Sequence, residues 1–141
     1  MEENNITIEM AEESNEKPPR PMLSFDELNG KINPKLKERL DMEGFSKPTL
    51  IQSCCWPVLL QGRDMVGVAE TGSGKTLAFG IPALQYVMEQ WPPSSISSVK
   101  KSKSNNKNKI HVLVIAPTRE LAIQTRDNLA RVAEPLGYGV F

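Results

Sequence analysis

Residues 69 to 76 read Ala-Glu-Thr-Gly-Ser-Gly-Lys-Thr, a run of small residues closed by a lysine and a hydroxyl that suits phosphate binding. Gly72 and Gly74 accept backbone angles that other residues resist, so successive N–H groups around Ser73 can turn inward as a nest for an anion. Lys75 adds a full positive charge aimed at β- and γ-phosphates. Thr76 brings a hydroxyl to the place where Mg²⁺ bridges phosphate oxygens. A glycine-rich turn that merely reverses the chain is the other reading, and the flanks weigh against it. Asp64 to Ala69, with Met65, Val66, Gly67 and Val68 inside it, predicts a buried strand ahead of the loop, and apolar spacing from Lys75 to about Trp91 predicts a helix after it.

The elements around the loop follow from the same patterns. Ile32, Leu36 and Leu40 recur every four residues and predict a helix over 28–40, ended near Gly44. A second helix is expected from the N-cap Thr49 to Gly62, kinked by Pro57. Ile110 to Ala116 is a β-branched and aliphatic run, expected as a strand buried on both faces. Helical spacing resumes from Arg119 to about Glu134, with Leu121, Thr125, Leu129 and Val132 on one face. Strand, helix, strand, helix predicts an α/β fold with a parallel sheet.

Composition bounds the rest. The 141 residues carry 17 basic and 17 acidic side chains, so bulk charge alone points to neither nucleic acid nor a membrane surface. The neutrality hides two biased segments. Residues 1–22 are rich in glutamate and end in prolines, the composition of a disordered acidic tail. Pro92 to Lys109 holds five lysines and no acid, padded with serine and asparagine, and is expected as a solvated, dispensable inserted loop. RNA contact by those lysines is the lesser reading. Cys54 and Cys55 are adjacent, where a disulfide is strained, so reduced thiols in an intracellular, soluble protein are expected. No apolar run approaches the roughly 18 residues of a membrane span, so no membrane partner is expected. His111, the sole histidine, stands at a strand start and is expected to be structural.

Three motifs in order resemble those of DEAD-box ATP-dependent RNA helicases. Gly44-Phe45-Ser46-Lys47-Pro48-Thr49-Leu50-Ile51-Gln52 is similar to the family's Q motif, and Pro117-Thr118-Arg119-Glu120-Leu121-Ala122 to its motif Ia. The family also writes its phosphate loop with alanine where Ala69 stands, though most often with glutamine in place of Glu70. The resemblance covers about Leu23 to Phe141 and implies a partial ATP-binding domain over 23–141, a truncated P-loop NTPase fold of RecA-like type. The Q-motif region spans 23–53, the loop 69–76 and motif Ia 117–122.

Carried over position by position, the resemblance implies that Gln52 reads the adenine edge, since an amide offers both donor and acceptor. Phe45 would stack on the base, with Phe25 propping the region. Taken alone, Phe45 reads as an ordinary core aromatic. Lys47 and the loop residues Ala69, Glu70, Thr71, Gly72, Ser73, Gly74, Lys75 and Thr76 would complete the ATP site, with Thr76 serving Mg²⁺. Pro117, Thr118 and Arg119 would hold RNA by its backbone, independent of sequence. Taken alone, Arg119 and Glu120 read as a solvated helix start. The Trp56-Pro57 helix and the run Gly62 to Glu70 look most like the nucleolar, ribosome-assembly branch, which implies a nuclear or nucleolar location, with the cytoplasm as the alternative. A second RecA-like domain is implied as a partner in the complete protein, and other protein partners are not specified.

Asp-Glu-Ala-Asp, the family's Walker B sequence, occurs nowhere in the 141 residues. The loop can cradle phosphates, but nothing here completes a Mg²⁺ shell or orients water. The chain is therefore expected to be catalytically incomplete, with Lys75 and Thr76 only assisting. The alternative is a non-catalytic nucleotide-binding module from a truncated gene product. We predict no RNA-stimulated phosphate release from the purified chain with saturating ATP, Mg²⁺ and single-stranded RNA. Turnover that disappears in a Lys75→Ala control would overturn this.

Overall fold

The computed structural model describes residues 17–92 and 110–141. The acidic tail expected over 1–22 lies outside the described residues apart from 17–22, and the loop expected over 92–109 lies outside them apart from Pro92. The described residues form α1 (Pro34–Met42), α2 (Leu50–Leu59), α3 (Lys75–Gln90) and α4 (Arg119–Ala133), with short 3-10 turns at Phe25–Leu28 and Glu134–Leu136. No helix among them is long and apolar enough to cross a membrane.

The first helix starts later than its apolar spacing predicts. After the 3-10 turn the chain reverses through Gly30, whose φ is 74°, and α1 begins only at Pro34. Asn33 sets that start: its side chain accepts the Lys35 N–H at 3.0 Å, and Pro34 has no N–H to leave unpaired in the first turn. Ile32, Leu36 and Leu40 are buried all the same. α2 runs on through Pro57. Proline cannot donate to the carbonyl of Ser53, four residues back, and the Met22 N–H takes that carbonyl at 3.0 Å. The helix defect thereby anchors the N-terminal segment.

One apolar core joins these pieces. Trp56, Leu28, Leu36, Leu40, Ile81 and Val132 are almost fully buried, and Met22, Phe25, Met88 and Tyr138 pack around them. α2 and α3 lie against one another, and α3 meets α4 where Gly80 lets Leu129 approach. The far end of α3 is pinned separately: the Trp91 ring stacks on His111 with centroids 3.9 Å apart, and the Trp91 carbonyl accepts the Tyr138 hydroxyl at 2.8 Å. Burial pushes the Tyr138 hydroxyl pKa up. This stack assigns His111 a packing role.

The two expected strands require correction. Residues 64–69 and 110–116 form no paired strand among the described residues, and neither is buried on both faces. Val66 and Val68 are 90% and 93% exposed, while a Cβ on Gly67 between them would sit 3.2 Å from Ile51 Cδ1 in α2. Leu113 and Ile115 are likewise more exposed than Val112 and Val114. Over 64–69 the alternation is that of a strand with Gly67 turned to α2 and its neighbours bare. A helix satisfies its own N–H and C=O groups, whereas a strand needs a neighbour's, and the described residues supply none.

Helix contact at Gly80 gives a direct test. A Cβ there would lie 2.2 Å from Leu129 Cδ2, so Gly80→Val must push α4 away or force Leu129 off its rotamer. We expect chemical denaturation to show a loss of about 1–3 kcal/mol. An unchanged midpoint would show that this contact does not hold α4.

Candidate functional site

The phosphate loop lies between residue 69 and the first turn of α3, and its conformation is set from beneath by α2. Gly72 and Gly74 have φ of 78° and 91°, the left-handed region in which glycine escapes the usual steric cost. Gly74 is also the N-cap of α3, and its carbonyl accepts the Ala78 N–H at 3.2 Å. The Gln52 side chain reaches the same carbonyl, its Nε2 donating at 3.2 Å, while its Oε1 accepts the Thr49 N–H at 3.0 Å. Gln52 is 5% exposed, so these bonds hold it in a nearly dry pocket between α2 and the loop. A second tie runs beside it, from the Trp56 indole N–H to the Leu77 carbonyl at 3.2 Å.

Within the loop, Lys75 Nζ donates to the carbonyls of Ala69 and Glu70. The ammonium is thus held across the loop by neutral acceptors, which an anion with full charge can outcompete. The Ser73 N–H turns onto the Glu70 carbonyl at 3.3 Å, and Ser73 Oγ is buried with no hydrogen-bond partner. Thr71 and Gly72 are exposed, and Thr76 is half-buried.

The other expected site residues fall into separate places. Phe45 is 45% exposed and stacks on Phe25, with centroids 6.4 Å apart and planes 25° from parallel. Phe25 in turn packs on Trp56 at 5.7 Å. Lys47 is exposed. Pro117, Thr118 and Arg119 form an exposed group at the head of α4, where Thr118 Oγ1 accepts the Leu121 N–H at 3.3 Å. Sequence reasoning missed Thr49 and Trp56 as parts of the site. The spacing of Thr49 and Gln52, N-cap and third helical residue, was a signal for the first. Cys54 and Cys55 are buried free thiols in α2, and burial pushes the Cys55 thiol up to about 11, with the neighbouring Cys54 adding to it.

A glycine-rich loop with an inward lysine at a helix N-terminus defines a P-loop nucleotide-binding protein. Residues 49–140 match the DEAD/DEAH box helicase family, and the chain belongs to it. It is 56% identical over 140 residues to the ATP-dependent RNA helicase DBP3 of Mycosarcoma maydis, covering 99% of this chain and 23% of that protein. With DBP3 of Saccharomyces cerevisiae the identity is 43%, over 96% of this chain and 22% of that protein. The chain thus spans about a quarter of these relatives' length. Among solved structures, the RNA helicase Prp28 from Chaetomium thermophilum bound to ADP superposes with a TM-score of 0.70 at 36% identity, covering 86% of this chain and 26% of that one. A DEAD box protein from Methanococcus jannaschii gives 0.59 at 32% identity, over 79% of this chain and 26% of that one. The fold is therefore that of part of the RecA-like domain of DEAD-box helicases, its strand segments unpaired among the described residues.

The close fit beneath Gly74 yields a prediction. A Cβ there would stand 2.7 Å from Gln52 Nε2 and 2.9 Å from Thr49 Oγ1, at a φ that a side chain resists. Gly74→Ala should weaken ATP binding about tenfold or more, read by calorimetry, with helix content by circular dichroism retained. Unchanged affinity would show that the loop tolerates displacement of Gln52.

Proposed function

We propose that this chain is the nucleotide-binding part of an ATP-dependent RNA helicase, which holds ATP and Mg²⁺ at the loop and RNA backbone at the head of α4. The observation that carries the reading is the Gln52 amide, bonded at once to Thr49 and to the start of the phosphate-loop helix. Each end of that amide retains capacity for one more bond, an acceptor and a donor, which matches the adenine edge and favours ATP over GTP.

The residues present fit the ligand. Lys75 has only neutral carbonyls to give up, and the orphaned Ser73 Oγ lies inside the loop. Ala69, Glu70, Thr71, Gly72 and Gly74 supply the backbone of the cradle, and Phe45 and Lys47 stand on the base side. The Thr76 hydroxyl is the residue of this chain that would hold Mg²⁺. Bound Mg²⁺ would neutralise phosphate charge, and the chain's own part is to fix the phosphates against Lys75 and the α3 N-terminus. Thr118 and Arg119 offer backbone N–H groups and one cation at the positive end of α4, led in by Pro117, which has no N–H of its own, and this suits a phosphate of any sequence.

The relatives named DBP3 support the larger reading, in which the complete protein couples ATP hydrolysis to RNA duplex unwinding with a second RecA-like domain. The resemblance of the Trp56-Pro57 helix and of the run Gly62 to Glu70 supports a role in ribosome assembly and a nuclear or nucleolar location. Within the 141 residues, without Asp-Glu-Ala-Asp, the chain's own activity is binding.

The test is calorimetric titration of the chain and its Gln52→Ala variant with ATP–Mg²⁺ and GTP–Mg²⁺. The variant should bind ATP about tenfold more weakly and lose its preference over GTP, the scale of one or two amide hydrogen bonds. Equal ATP affinity in both proteins would overturn the assignment of Gln52 and favour a P-loop ATPase of another kind.

A further inference from the structure

The turn between α1 and the run Gly44 to Gln52 is bolted to the far end of α4 by an ion-pair cluster of residues that none of the expected site contacts includes. Glu43, the C-cap of α1, has a side chain only 6% exposed. Its Oε1 accepts Arg39 Nη2 at 2.7 Å, and its Oε2 accepts Arg131 Nη2 from α4. Arg39 also reaches across, its Nε and Nη2 donating to the Arg131 carbonyl at 3.1 and 3.0 Å. Two arginines, a carboxylate and a helix carbonyl thus close a loop of charge-assisted bonds around one buried acid. Such a cluster resists the loss of one member far more than an exposed pair does, because the remaining charge is left unpaired out of water.

What the cluster holds lies two residues away. After Glu43 the chain turns through Gly44, whose φ is 75° and whose N–H bonds to the Asp41 carbonyl at 3.2 Å, and delivers Phe45 to the surface. Phe25 supports Phe45 through its ring, and the Gly44 turn ties Phe45 directly to Glu43. α3, whose N-terminus forms that loop, is packed on α4 at Gly80 and Leu129. The clasp to α4 therefore references the Phe45 turn to the same helix that α3 rests on.

We propose that Glu43, gripped by Arg39 and Arg131, is a positioning residue for the adenine face of the ATP site. It sets where Phe45 stands relative to the phosphate loop, and this rests on the placement of adenine against Phe45 given above. Its signature is selectivity. Loss of the clasp should weaken recognition of the base and leave recognition of the phosphates intact.

The experiment titrates the chain with ATP–Mg²⁺ and with inorganic tripolyphosphate–Mg²⁺, which has the phosphates and no base. Wild type should prefer ATP, and Phe45→Ala should abolish the preference. Glu43→Gln should cut ATP affinity about fivefold with tripolyphosphate affinity unchanged, the scale of coupling through one packed contact. Should Glu43→Gln fail to fold by circular dichroism, Arg131→Lys keeps the charge, loses the planar fork, and should give a smaller loss of the same kind. Equal loss for both ligands, or a folded variant with the whole preference retained, overturns the positioning role alone. A wild-type chain that binds tripolyphosphate as tightly as ATP overturns the adenine placement and this inference together.

Discussion

Where Gln52 and Thr49 meet the start of α3 there is no room for a Cβ, and the glycine at 74 is what allows the contact. The missing side chain lets an amide from α2 reach the carbonyl that also begins the α3 hydrogen-bond ladder. Two consequences follow from one close approach. The N-terminus of α3 is fixed in position and direction, with the Ser73 N–H turned onto the Glu70 carbonyl just ahead of it. The same bond makes Gln52 report the state of the loop, because any movement of the Gly74 carbonyl changes what the amide can offer a ligand.

The rest of the core can be understood as support for that junction. Trp56 reinforces it with a second hydrogen bond one turn into α3, and its buried ring carries Phe25, which carries Phe45. Pro57 contributes indirectly. By leaving the Ser53 carbonyl without a helical donor it fixes Met22, and the segment from Met22 through Leu28 then covers Trp56. A residue that weakens a helix in isolation here recruits another part of the chain. α4 is held near its C-terminal end on two sides, by Leu129 against Gly80 of α3 and by Arg131 in the clasp on Glu43.

Local signals in the sequence were read well and relational ones poorly. Helices α2, α3 and α4 were legible from apolar spacing, and the loop from its glycines and lysine, because each depends on residues close in sequence. α1 was placed too early because periodicity sees Ile32 and Leu36 but not the Asn33 cap that competes with helix before Pro34. The Arg39–Glu43 pair has the i,i+4 spacing of a helix surface bridge, whereas Arg131 lies 88 residues from Glu43 and no local pattern announces it. The roles of Gln52 and Phe45 came from resemblance, since composition alone made Phe45 a core residue.

Residues 64–69 and 110–116 show why the site does not wait on a sheet. Gly67 in the first already meets Ile51 and Cys55 of α2, yet neither segment's backbone finds a ladder among the described residues. A parallel sheet is assembled from distant segments, each costing loop-closure entropy before its hydrogen bonds form. The α2–α3 junction needs only residues 49 to 78, a short loop with a buried amide, an indole bond and an apolar interface. The phosphate cradle is therefore specified by helix packing, and pairing of the two extended segments would add rigidity behind it. On the reading proposed above, the geometry that receives the nucleotide rests on the contact of two adjacent helices.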